Sequence, residues 1–143
     1  MKKIKGACRC GKFTYELNKP PVYAAYCHCT ECRLRNSSPC TSFIMGLVNC
    51  LVVAGEHDLY SEASGSDSTL DHHRCSCCGT VLYTRVNKLE NIVAIPSATL
   101  IDESVFQPVE HLWVQSKLPW LEINDGLPQR SGPPKLPAGL LSK

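Results

Sequence analysis

Apolar and polar positions alternate most clearly near the start of the chain. Phe13, Tyr15 and Leu17 are separated by polar residues and follow a glycine at Gly11, the period of a strand with one buried face. Residues 4–17 are therefore expected to form a hairpin that carries the first cysteines. Pro20 and Pro21 break the chain, and Val22 to Tyr26 predicts a short strand. Residues 41–48 and 50–53 are apolar and partly β-branched, split by Asn49, and predict two more strands. Residues 81–86 and 92–96 predict a further pair, joined as a hairpin through 87–91. Leu59 and Tyr60 form an apolar island ahead of residues 61–68, whose serine, glycine and aspartate content predicts an exposed hairpin loop that adds little core. Helical periodicity is weak, and the best short helix runs from Cys29 to Asn36 with Thr30 as its cap. The expectation is a mainly β fold, with one domain over residues 1–130 and a Pro/Gly-rich tail over 131–143 lying on the surface or disordered.

Composition narrows the function classes. A chain of 143 residues with 43% apolar content suits one packed domain. The net charge of +2 is spread without a block of like sign, which gives no footing for nucleic acid or for a polybasic membrane segment. The basic residues at the N-terminus are not followed by an apolar stretch, and no run of 18 apolar residues occurs. The protein is expected to be cytoplasmic, neither secreted nor membrane-spanning. In a reducing compartment its ten cysteines read as metal or redox residues rather than as a disulfide framework.

Three cysteine clusters stand out: Cys8 and Cys10 before Gly11; Cys27, Cys29 and Cys32; and Cys75, Cys77 and Cys78 before Gly79. Zinc takes four thiolates in a tetrahedron, and two tight turns can each supply two corners. Cys8, Cys10, Cys75 and Cys78 are thus expected to close one structural site, with a glycine turning the backbone beneath each pair. Cys27, Cys29 and Cys32 supply three thiolates and leave a corner open, the feature that separates catalytic from structural zinc. A second structural zinc completed by His28 or a remote ligand is the plainer alternative. Iron-sulfur ligation fits the C-x-C spacing poorly, and dithiol redox chemistry belongs on an α/β fold that the pattern does not suggest. Cys40 and Cys50 read as small core residues. Cys77 is either an idle neighbour or a substitute for Cys78. His57, His72, His73 and His111 have no metal-binding spacing, and His28, between two ligands, is expected to point away from them.

The ordered segments G-x-C-x-C-G-x-F-x-Y (Gly6 to Tyr15), C-H-C-x-x-C-R (Cys27 to Arg33), C-x-x-C-G-T-x-L-Y (Cys75 to Tyr83) and H-L-W-V-x-S-K-x-P-W (His111 to Trp120) resemble the glutathione-dependent formaldehyde-activating enzyme family, which includes centromere-protein-V-like members. The resemblance runs from about residue 6 to Gln129 and implies an Mss4-like fold of antiparallel β-sheets around zinc-binding cysteine knuckles. It implies two zinc ions, the structural one on Cys8, Cys10, Cys75 and Cys78 and the catalytic one on Cys27, Cys29 and Cys32. It further implies a carbon-sulfur lyase that forms or cleaves a thiol-aldehyde adduct of the S-hydroxymethylglutathione kind, with a small thiol such as glutathione and an aldehyde as partners. Arg74, Cys77 and residues 36–40 depart from the family's pattern around the substrate pocket. Three thiolates leave a zinc site with a formal charge of −1, which favours holding a thiol over strong polarisation of the aldehyde. No general acid or base is assigned, and Glu31 and His28 are the groups nearest the triad in sequence. The rival expectation is a zinc-stabilised binding module without turnover.

Overall fold

One-sided burial explains the first strands. In the structure, a computed structural model that describes residues 2–65 and 67–140 apart from the Ala138 side chain, Phe13, Tyr15 and Leu17 are each no more than 2% exposed. Strands β1 (Ile4–Ala7) and β2 (Thr14–Leu17) form the expected hairpin, and β5 (Leu51–Ala54) joins β2 to complete a three-stranded antiparallel sheet. Gly6 lies opposite Tyr15 in this register, and a Cβ at Gly6 would come within 2.0 Å of the Tyr15 ring. The missing side chain lets Tyr15 cross its partner strand and bond Thr99 Oγ1 at 2.9 Å.

The second sheet has seven strands. They are β3 (Tyr23–Cys27), β4 (Thr41–Leu47), β6 (His57–Ser64), β7 (Ser68–Cys75), β8 (Val81–Val86), β9 (Ile92–Pro96) and β10 (His111–Leu112), in the order β10-β3-β4-β9-β8-β7-β6. All pairings are antiparallel except that of β10 with β3. Neighbours along one strand go to opposite faces. Ala24 and Ile44 join Phe13, Tyr15, Leu17, Leu82, Val93 and Ile95 in the main core between the sheets. Ala25 and Phe43 belong instead to a smaller cluster with Cys27 and Leu112 on the other face. That second face carries the candidate site.

Two expectations are corrected. Residues 61–64 belong to β6 and Ser68 opens β7, so the loop expected over 61–68 is reduced to a turn around Gly65 and Asp67, with Ser66 outside the described residues. The polar composition reflects an edge strand whose side chains face water: Leu59 is 57% and Tyr60 47% exposed. The short helix exists as α1 (Thr30–Asn36), but its cap is Cys29 rather than Thr30, the thiol accepting from the Cys32 N–H at 3.3 Å.

The segment after β10 returns to the sheet. His111 bridges Gln129, and the Gly132 carbonyl accepts from the Trp113 N–H at 3.1 Å. Of the expected tail, residues 131–140 are described and 141–143 lie outside the described residues.

Candidate metal centres

Two tight turns build the first centre. The Cys8 carbonyl accepts from the Gly11 N–H at 3.1 Å, and the Cys75 carbonyl from the Gly79 N–H at 2.9 Å. Both glycines sit at positive φ, 81° and 79°, the left-handed conformation that glycine adopts without a Cβ clash. These turns bring the Sγ atoms of Cys8, Cys10, Cys75 and Cys78 within 4.8 Å of one another, with Cys8 to Cys10 at 3.5 Å and Cys10 to Cys75 at 3.6 Å. A tetrahedron with zinc-sulfur bonds of about 2.3 Å has edges of about 3.8 Å, so the four sulfurs fit such an ion. Backbone N–H groups of Phe13 and Cys77 point at the Cys8 and Cys75 sulfurs at 3.3 and 3.4 Å, and the bond from Phe13 helps to lower the Cys8 pKa against its burial. The Thr80 side chain and backbone hold Cys78 down to about 5. Cys77 stands outside the cluster, exposed, with its sulfur 3.7 Å from Lys12 Nζ.

The second centre is local. Cys27 ends β3, Cys29 caps α1 and Cys32 lies in its first turn; their sulfurs also fall within 4.8 Å of one another, Cys27 and Cys32 being 3.6 Å apart. Hydrogen bonds from the Cys27 and Cys32 thiols, and then from the Cys32 N–H, hold Cys29 far below the usual thiol range; the neighbouring sulfurs push Cys27 up. Three thiols this close are an arrangement that a dication can complete by displacing their protons. Arg35 donates to Cys32 Sγ at 3.9 Å and meets Glu62 at 2.5 Å. Glu62 also accepts from His72 Nε2 at 3.1 Å, so His72 Nδ1 is the acceptor for the Thr84 hydroxyl at 2.8 Å. Burial lowers the His72 pKa, with Glu62 opposing it.

The three sulfurs open into a cavity of about 750 Å³. Its floor is the second face of the large sheet: Phe43 and Met45 of β4, Ala94 and Pro96 of β9, Thr84 and Val86 of β8, Leu70 and His72 of β7. These are cross-strand partners, Phe43 with Pro96, Met45 with Ala94, Ala94 with Thr84, Thr84 with His72 and Leu70 with Val86. Trp113, held in a left-handed conformation at φ 55°, closes one side together with Pro133 and Pro134. The Glu31 carboxylate accepts from the Gly65 N–H at 3.1 Å and ties α1 to the β6-β7 turn.

His28 faces away from the thiols, as strand alternation from Cys27 requires. It is 1% exposed, and its ring lies 2.9 Å from His111 Nδ1; His111 Nε2 lies 2.7 Å from Asp125. A carboxylate only accepts, so His111 carries its proton on Nε2 and its Nδ1 accepts from His28 Nε2–H. The chain of three anchors the backbone between Cys27 and Cys29 on β10. His28 Nδ1 is left buried without a partner among the described residues. The His111 and Asp125 partnership, the Arg35, Glu62 and His72 network, and the cavity itself were not expected. For His28 and His111 the C-H-C spacing was the available signal, since a residue between two cysteines on an extended segment must face the other way.

Cys40 is half-buried, and Cys50 belongs to the main core at 9% exposure. Arg74 stacks over the Tyr60 ring at 5.6 Å, on the outer strands. Trp120 is 66% exposed, while Lys117 Nζ donates to the Leu118 and Leu121 carbonyls. None of the described helices is long and apolar enough to cross a membrane.

Antiparallel sheets carrying two thiol clusters define a β protein suited to metal binding. The family model described as glutathione-dependent formaldehyde-activating enzyme matches residues 3–116, and the chain belongs to that family. No curated protein matches it. Among solved structures, the crystal structure of a Rhodobacter sphaeroides protein is similar in fold, with a TM-score of 0.54 and 20% identity over 88% of this chain and 98% of that one.

Proposed function

We propose that the protein is a zinc-dependent carbon-sulfur lyase of the glutathione-dependent formaldehyde-activating type, which forms or cleaves a thiol-aldehyde adduct in the cavity beside Cys27, Cys29 and Cys32. The observation that carries this reading is the difference in ligand number. Four sulfurs converge at one centre and three at the other, and the three line a cavity of about 750 Å³. Cys8, Cys10, Cys75 and Cys78 hold a structural zinc in this reading, and Cys27, Cys29 and Cys32 a catalytic one. Cys27, Cys29 and Cys32 would hold the ion with one position left open, and it would supply stabilisation of a substrate thiol in its thiolate form.

The chain's own residues do the rest. Arg35 places a guanidinium beside Cys32 and offsets part of the thiolate charge, while Glu62, itself fixed by His72, sets its direction. Phe43, Met45, Leu112 and Trp113 give the thiols an apolar flank on which the body of a substrate can rest. The reaction balances without a redox partner. The thiol S–H bond breaks, a bond forms between sulfur and the carbonyl carbon, and the proton ends on the carbonyl oxygen.

The test is exchange NMR on zinc-loaded protein with formaldehyde and thiol, read against the uncatalysed rate. Enzyme-dependent interconversion that disappears in Cys29→Ser, with two zincs per chain in the wild type, supports the reading. Rates equal to the uncatalysed ones would count against it.

A further inference from the structure

The cavity's chemistry bears on which thiol enters. Glutathione carries two carboxylates and an ammonium, and its peptide groups need partners throughout. Of the described residues lining the cavity, Arg35 is the sole lysine or arginine, and its guanidinium already meets Glu62 at 2.5 Å and Cys32. The other fixed charge on the lining is negative, the Glu31 carboxylate, engaged with the Gly65 N–H. His72 spends both ring nitrogens on Glu62 and Thr84, and burial keeps it neutral. Neither glutathione carboxylate meets a free cation there, and the thiolate centre itself adds negative charge. A carboxylate taken out of water without a partner is strongly disfavoured.

Thr30, Asn36, Thr41, Ser64, Thr84 and Ser116 add neutral polar side chains to the lining, and the rest of it is largely apolar. Phe43, Met45, Leu70, Val86, Ala94 and Pro96 make most of a floor that starts beside the sulfurs and runs across four strands, with Thr84 and His72 set among them. Pockets of this volume hold molecules of drug size, whereas formaldehyde has two heavy atoms. The volume therefore belongs to the body of the thiol. Resting on the lyase reading above, we infer that the physiological thiol is uncharged, with an apolar aliphatic or aromatic body that lies on the Phe43 and Met45 face while its sulfur reaches Cys27, Cys29 and Cys32. The adduct is formed as before: sulfur bonds to the aldehyde carbon, and the thiol proton moves to its oxygen.

Binding and turnover separate the two claims. Zinc-loaded full-length protein is titrated calorimetrically with 2-phenylethanethiol and with glutathione, and both are then supplied with formaldehyde in the exchange NMR assay. Binding of 2-phenylethanethiol at least ten-fold tighter than glutathione is expected. Glutathione binding as tightly or more tightly overturns the inference. If neither thiol is turned over, the lyase reading fails while the order of binding still decides this one. Val86→Lys, at a half-buried position on the floor, supplies the missing cation, and Leu70→Arg does the same from the next strand should the first variant not fold. Either is expected to lower the preference for 2-phenylethanethiol at least three-fold, and an unchanged ratio would overturn the assignment of selectivity to this face.

Discussion

The two sulfur centres use the same ligand atom and differ in reach. The first draws its cysteines from two hairpins, with Cys10 and Cys75 separated by 65 positions, and binds the small sheet to the large one. The second takes all three from one strand end and one helical turn, Cys27 and Cys32 being five positions apart. It faces a cavity where the first faces packed hairpins. A metal that joins distant segments contributes to folding, because the unfolded chain cannot present those ligands together. A metal held by neighbours adds less, and its free corner is available for chemistry.

Breaking the first centre should have the largest effect. Structural zinc contributes on the order of 10 kcal/mol of apparent binding free energy, so Cys75→Ser is expected to abolish cooperative unfolding, read by circular dichroism during heating. Cys29→Ser should leave that transition nearly in place and remove the catalysed exchange. A protein unfolded by Cys29→Ser would erase the distinction between the centres.

Helix capping sharpens the contrast further. Serine is a good N-cap, so Cys29→Ser removes a ligand and keeps the bond to the Cys32 N–H. Cys29→Ala removes both and should be about 1 kcal/mol less stable than Cys29→Ser in denaturant titrations. Arg35→Met strips the partner of Cys32 and should weaken zinc at the second centre by about ten-fold. Competition with a chelator should show the first centre unchanged.

The smallest effect is acid sensitivity on the cavity floor. Burial holds His72 below its ordinary value. Above a pH of about 6.5 it is neutral in folded and unfolded chains alike. As the pH falls below that, the unfolded chain takes up the proton first, and stability drops until the depressed folded value is reached. The difference in stability between wild type and His72→Gln should narrow on acidification, by at most about 1.4 kcal/mol per pH unit, the limit for one proton. A constant difference from pH 8 to pH 5 would assign His72 no such role.

What the sequence disclosed follows the same division. Alternation located β2 because one of its faces meets the core, and spacing located the cysteine pairs because two thiols on one tight turn stay close whatever the rest of the chain does. Strand β6 escaped because an edge strand needs no apolar alternation, and its serines and glutamate resemble a loop. The capping role passed from Thr30 to Cys29, since a thiol can take the bond that a hydroxyl usually takes. His28 and His111 lie 83 positions apart, and the cavity floor is assembled from four strands. Neither leaves a periodic trace, because both arise from pairing between segments that are silent about one another.

The unequal reach of the centres also sets an order during synthesis. A nascent chain can load its local trio of thiols once Cys32 has emerged, whereas the quartet must wait for Cys78, by which point more than half of the protein has been made. The trio is thus complete while the segments that will form the quartet are still being joined.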